Sequence, residues 1–290
     1  MAEFLQFLFS GLTVGAVYAL VALGFTLIYN ASDVVNFAQG EFVMIGGMVT
    51  VFAAAGGAPL PLGAIVAIAA AVAVGLLLHA LAIEPARGAS AVTLIIITIG
   101  ASIFLRGVAQ VLFDKQAHGI PAFSGDAPIR VMGAAILPQS LWVLGGAVAI
   151  FLALYLFLNR TLLGKAVLAT AANRLAARLV GINTRTILAL AFATSAAIGA
   201  VAGILVTPIT LTSYDAGTLL ALKGFAAAML GGIGSPSGAV LGGLLLGLFE
   251  SFSAGYLSSS YKDAVAFLTI LLVLFAMPSG LLGRRSVERV

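Results

Sequence analysis

The chain has no cysteine, only two histidines (His79 and His118), and just fourteen basic and ten acidic side chains in 290 residues. Without cysteine there can be no disulfide framework, thiolate metal site or iron–sulfur cluster. The shortage of charge excludes more. At 62% hydrophobic and 8% charged, with mean hydropathy +1.18, the chain cannot cover a soluble surface. Motifs of catalysis are missing too. No G-x-x-x-x-G-K-[ST] loop occurs, since Gly164-Lys165 is followed by Ala166 and lacks the upstream glycine, so ATP hydrolysis by that route is excluded. Neither G-x-S-x-G nor H-E-x-x-H is present, and the acids are too scattered for a paired-carboxylate site. A net charge of +4 on such segments points to membrane topology and not to nucleic acid. Met1-Ala2-Glu3 lacks a basic leader, which predicts that the first helix is retained.

What is present is run after run of about 20 apolar residues, the length that crosses a hydrocarbon core of about 30 Å. The runs predict helices near 4–29, 37–55, 60–83, 89–112, 138–158, 186–207, 217–233, 237–257 and 264–282. They are apolar all round, unlike the alternating strands of a membrane barrel. The expected fold is therefore all-α, one polytopic transmembrane bundle over residues 1–290 with about eight to nine spans. Segments 30–41 and 217–233 are candidates for re-entrant stretches.

Arg160, Lys165, Arg174, Arg178 and Arg185 form a basic stretch without an acid, and Arg284, Arg285 and Arg289 follow in the tail. Both regions are expected on the cytoplasmic side. Alternation then adds Arg87 inside and leaves Lys115, Arg130 and Lys262 outside, with the N-terminus facing out. Residues 113–137, rich in Gly, Pro and mixed charge, are an expected outer segment able to form a docking surface. Residues 161–182, where Leu162, Val167, Leu168, Leu175, Leu179 and Val180 recur among basic residues, predict one amphipathic cytoplasmic helix.

Inside the spans, Arg106, Lys223 and Glu250 each cost at least about 2.5 kcal/mol in lipid unless paired or wet, so they are expected to face the interior. Along their helices, at about 1.5 Å per residue, Arg106 and Glu250 reach similar depths and are expected to pair, with Lys223 as an alternative partner for Glu250. Thr98 and Ser102 precede Arg106 at four-residue spacing and extend its face. The short polar break from Asn30 to Glu41 contains Asn36, Gln39 and Glu41, which are candidates to line a path beside Thr98, Ser102 and Lys223. Glycines four apart, such as Gly11 and Gly15, Gly199 and Gly203, or Gly243 and Gly247, mark faces where helices approach closely.

Gly11-Leu12-Thr13-Val14-Gly15-Ala16-Val17-Tyr18-Ala19-Leu20, then Asn36-Phe37-Ala38-Gln39-Gly40-Glu41, Thr98-Ile99-Gly100-Ala101-Ser102 and Lys223-Gly224-Phe225 through Gly231-Gly232-Ile233-Gly234-Ser235 occur in that order. Together they resemble the permease subunits of branched-chain amino acid ABC importers, a family that includes urea and short-chain amide permeases. The likeness covers nearly the whole chain. It implies a second, similar permease, two cytoplasmic ATP-binding subunits, an extracytoplasmic binding protein, location in a bacterial inner membrane, and no cofactor on this chain. It also implies a coupling helix at 161–182, carried by Gly164, Lys165, Arg174, Ala176, Ala177, Arg178 and Gly181. Leu175 stands where that motif has an acid, and Leu168 where the family commonly has Arg. An ion-coupled secondary transporter is the alternative from another class. It would rely on Glu250 and Glu41.

Overall fold

The computed structural model describes residues 2–277 and 279–283. At its centre is α1, Ala2–Ser32, apolar on every face and enclosed by α8 (Thr184–Thr210), α9 (Ala216–Gly231) and α10 (Pro236–Tyr256). Such enclosure requires close backbones, and glycine supplies them. A Cβ on Gly15 would stand 2.9 Å from Leu244 Cα, and one on Gly11 2.9 Å from Leu248 Cα, both on α10. The pairs Gly231 with Gly238, and Gly203 with Val43, close α9 on α10 and α8 on α2 (Gln39–Ala55) in the same way.

The remaining long helices are peripheral. Only 28%, 11% and 17% of the apolar windows are buried in the spans Leu60–Ile83, Ala91–Phe113 and Pro138–Arg160, against 89% in α1, so these three leave most of their surface uncovered by the rest of the chain. They are α3 (Leu60–Leu78, continued by a π-turn to Ile83), α4 (Ala91–Phe113) and α5 (Pro138–Arg160). Among the described residues, six helices are long and apolar enough to span a membrane, and α2, α9 and α11 (Lys262–Ala276) are shorter. The molecule is thus a multi-pass helical bundle, with helices at all nine stretches read from the sequence.

Two boundaries differ from expectation, the end of the last helix and the segment 161–182. The break after α1 does not lie at a surface: Gln39, which opens α2, packs against Gly24, eight residues or about 12 Å back along α1. Asp33, at φ 59°, starts the reversal that returns the chain into the bundle. The last helix ends at Ala276 instead of 282; residues 279–283 run back so that the Leu281 and Leu282 N–H groups donate to Leu230 and Gly231 carbonyls at 2.9 Å each. Those bonds satisfy carbonyls at the end of α9 that no helical turn would reach. The second difference is in 161–182, which forms two helices, α6 (Leu162–Ala172) and α7 (Arg174–Leu179). Asn173 is extended between them and its side chain accepts from the Ala176 N–H at 2.9 Å, so a new N-cap interrupts the apolar periodicity.

Two ends of the bundle are distinct. One gathers the start of α1, the hairpin β1 (Ile129–Val131) and β2 (Ala134–Ile136), and the connection 114–118. There Gln6 bonds the Ala135 backbone in both directions, and His118 exchanges backbone bonds with Thr212. The other end holds α6 and α7. Here Arg174 donates to the Ala31 carbonyl, Arg185 pairs with Glu84, and Asn30 donates to Gly234 O at 2.9 Å. The tail arginines 284, 285 and 289 lie outside the described residues.

Candidate functional site

The polar break delivers its side chains to the interior. Asn36, Gln39 and Glu41 are buried. Asn36 Oδ1 accepts from the Ala38 N–H at 3.1 Å and holds the turn that starts α2. Gln39 Oε1 accepts from the Ser195 hydroxyl of α8 at 2.6 Å, and Ser195 is also within 2.9 Å of the Gly24 carbonyl, which ties α1, α2 and α8 together at one depth. Two residues on, Glu41 Oε1 accepts from the Ser102 hydroxyl at 2.7 Å, with Arg106 Nε at 3.7 Å. Thr98 Oγ1 accepts from the Phe37 N–H at 3.2 Å. The i, i+4, i+8 row Thr98, Ser102, Arg106 of α4 therefore lies along the polar break.

Lys223 belongs to a second cluster. Its ammonium donates to Glu250 Oε1 at 2.8 Å and stands 2.6 Å from Asp263 Oδ1, while the Tyr18 hydroxyl donates to Glu250 Oε2 at 2.7 Å. Lys262 approaches Glu250 at 3.8 Å. The expected Arg106–Glu250 pair is therefore corrected: Arg106 pairs with Glu41, and Glu250 with Lys223. Depth along a helix was the basis of that expectation, and depth leaves direction around the bundle open. α4 packs on α2, whereas α10 packs on α1, α9 and α11. Tyr18, Ser195 and Asp263 were missed. Tyr18 stands in an all-apolar run and Ser195 in a run of small residues, and neither position carries a charge to draw attention.

At the opposite end, Gly164 is buried against the Phe157 carbonyl and Leu158, so a side chain there would lift α6 off α5. Arg174 is held by Ala31, and Arg178 Nε donates to Thr184 Oγ1 at 3.1 Å. Ala177 is buried; Lys165, Ala176 and Gly181 are exposed, as are the apolar Leu175, Leu179 and Val180. Gly181 has φ 89°, which L side chains adopt only with strain. Among the described residues, no three His, Asp or Glu side chains gather as a metal site.

A multi-pass bundle that buries Glu41, Lys223 and Glu250 among apolar helices is the architecture of a polytopic membrane protein. The family model for the branched-chain amino acid transport system permease component matches residues 7–274, and the chain belongs to that permease family. It is 38% identical to the high-affinity branched-chain amino acid transport system permease protein BraD of Pseudomonas aeruginosa, over 99% of this chain and 98% of that one. Identity to the corresponding protein LivH of Escherichia coli is 37%, with the same coverage. The ribose import permease protein RbsC of Escherichia coli is 30% identical, over 91% of this chain and 83% of its own length.

Proposed function

We propose that this chain is one membrane subunit of an ATP-driven importer for branched-chain or similar hydrophobic amino acids, seated in a bacterial inner membrane. The observation that carries the reading is the polar break after α1, which turns back into the bundle and buries Asn36, Gln39 and Glu41 against α4 and α8. Irregular backbone survives at membrane depth only where protein or a water-filled path satisfies it. The names of the relatives at 37–38% identity support the substrate class over ribose, whose permease is more distant.

In this reading the chain works beside a second permease, two cytoplasmic ATP-binding subunits and an extracytoplasmic binding protein. α6 and α7 meet an ATP-binding subunit through Leu175, Leu179 and Val180, and 113–137 with its hairpin receives the binding protein. Closure of the ATP-binding subunits moves α6 and α7, and the attached helices rock to expose the path alternately to each side. ATP is consumed by the partners, and this chain carries no cofactor. A urea or short-chain amide permease is the variant reading, and an ion-coupled transporter the rival.

Reconstitution tests it. The chain with its four partner subunits should show ATP-dependent uptake of leucine, isoleucine or valine in a panel that includes urea and acetamide. The purified chain alone should neither hydrolyse ATP nor accumulate substrate. Saturable uptake by the chain alone under an ion gradient would move the assignment to a secondary transporter.

A further inference from the structure

The two buried carboxylates are used differently. Glu250 has both oxygens engaged, one by Tyr18 at 2.7 Å and one by Lys223 at 2.8 Å. Glu41 is 1% exposed, yet only its Oε1 is bonded, to Ser102, and Oε2 has no partner among the described residues. The cation beside it is held loosely: Arg106 Nε stands 3.7 Å from Oε1, beyond hydrogen-bond reach, and its side chain is 30% exposed. Asn36 is likewise 1% exposed with Nδ2 unpartnered, while its Oδ1 serves the Ala38 N–H. A pair that only oriented helices would close to direct hydrogen bonds, because idle polar atoms in an apolar interior are costly.

Spare anion and spare cation side by side suit a ligand that brings one charge of each sign. The head of an α-amino acid does so. Its ammonium can take Glu41 Oε2, and its carboxylate can take the donor fork of Arg106. Each charge then trades a weak partner for a strong one, and the net charge at that depth is unchanged. We propose that Glu41 and Arg106 form a transit subsite for the zwitterionic head of an α-amino acid. The inference rests on the importer reading and narrows its substrate class, since neutral urea and amides would leave both charges unanswered.

The test is leucine uptake by vesicles holding the full five-subunit assembly with E41Q/R106Q, which removes both charges together and leaves no unpaired ion. The expected result is normal assembly and retained ATP hydrolysis stimulated by the binding protein, with leucine uptake reduced at least about tenfold, as lost charge-assisted bonds would produce. R106K should retain more uptake than R106Q. Wild-type uptake in the double variant would overturn the subsite, and so would failure of that variant to assemble, which would make the pair structural. Failure of the importer reading shows separately: the unmodified assembly would then take up no branched-chain amino acid.

Discussion

Lys223 holds two carboxylates at once, Glu250 inside the bundle and Asp263 at the start of α11, and sits 5.4 Å over the Tyr18 ring. Removing it strands a buried anion, because Lys262 reaches Glu250 only at 3.8 Å. Lys223→Met should therefore cost about 3–5 kcal/mol, the usual penalty for breaking a buried pair from one side. Thermal unfolding of the purified chain in detergent should show this as a lowered midpoint, with more than half recovered in Lys223→Met/Glu250→Gln. Equal stability of the single variant and the parent would mean that the network is not formed in the membrane. At this scale the sequence was partly legible. The cost of a charge in lipid is enough to turn Arg106, Lys223 and Glu250 inward, but partners depend on how helices are arranged around the bundle, and a linear string carries little of that. Ser195 illustrates the limit, since a hydroxyl in an apolar helix is ordinarily bonded to its own backbone.

Glycine spacing gave a better guide to the elements. Gly11, Gly15, Gly243 and Gly247 recur at four-residue intervals, and in the fold they place α1 directly on α10. Gly100 and Gly107 on α4 are seven apart and share one face too, yet among the described residues nothing lies within 4 Å of a Cβ at either one. Gly247→Leu should thus abolish accumulation of the folded chain, since the side chain would enter the backbone of Gly11 and Gly15, whereas Gly100→Leu should leave the yield and thermal stability of the isolated chain within about 0.5 kcal/mol of the parent. The same contrast explains why nine helical stretches were readable while two boundaries were not. Hydropathy marks where backbone must bond to itself. It does not mark Asn173, where one side-chain cap splits 161–182 in two, or the end of α11 at Ala276 and the return of 279–283 onto the end of α9.

For the molecule as a whole, the separation of its two ends matters more than any single contact. The basic stretch from Arg160 to Arg185 lies with α6, α7 and Glu84, while the hairpin and the His118–Thr212 bridge lie at the start of α1. We propose, from the positive-inside asymmetry, that the first end faces the cytoplasm. Because the chain contains no cysteine, single reporters decide the matter cleanly. Cysteine replacing the exposed Ala172 should react with a membrane-impermeant maleimide only after cells are permeabilised, and cysteine replacing the exposed Asp126 should react in intact cells. The converse pattern would invert the topology and remove α6 and α7 from contact with any ATP-binding subunit. With the expected labelling in hand, Gly181→Val probes coupling in the assembled importer. A branched side chain at φ 89° strains the exit from α7, at a cost on the order of 1–3 kcal/mol confined to an exposed turn. Membrane insertion and the helical bundle should survive. ATP hydrolysis should continue with uptake lowered several-fold, and uptake per ATP equal to that of the parent would show that this turn does not transmit the movement.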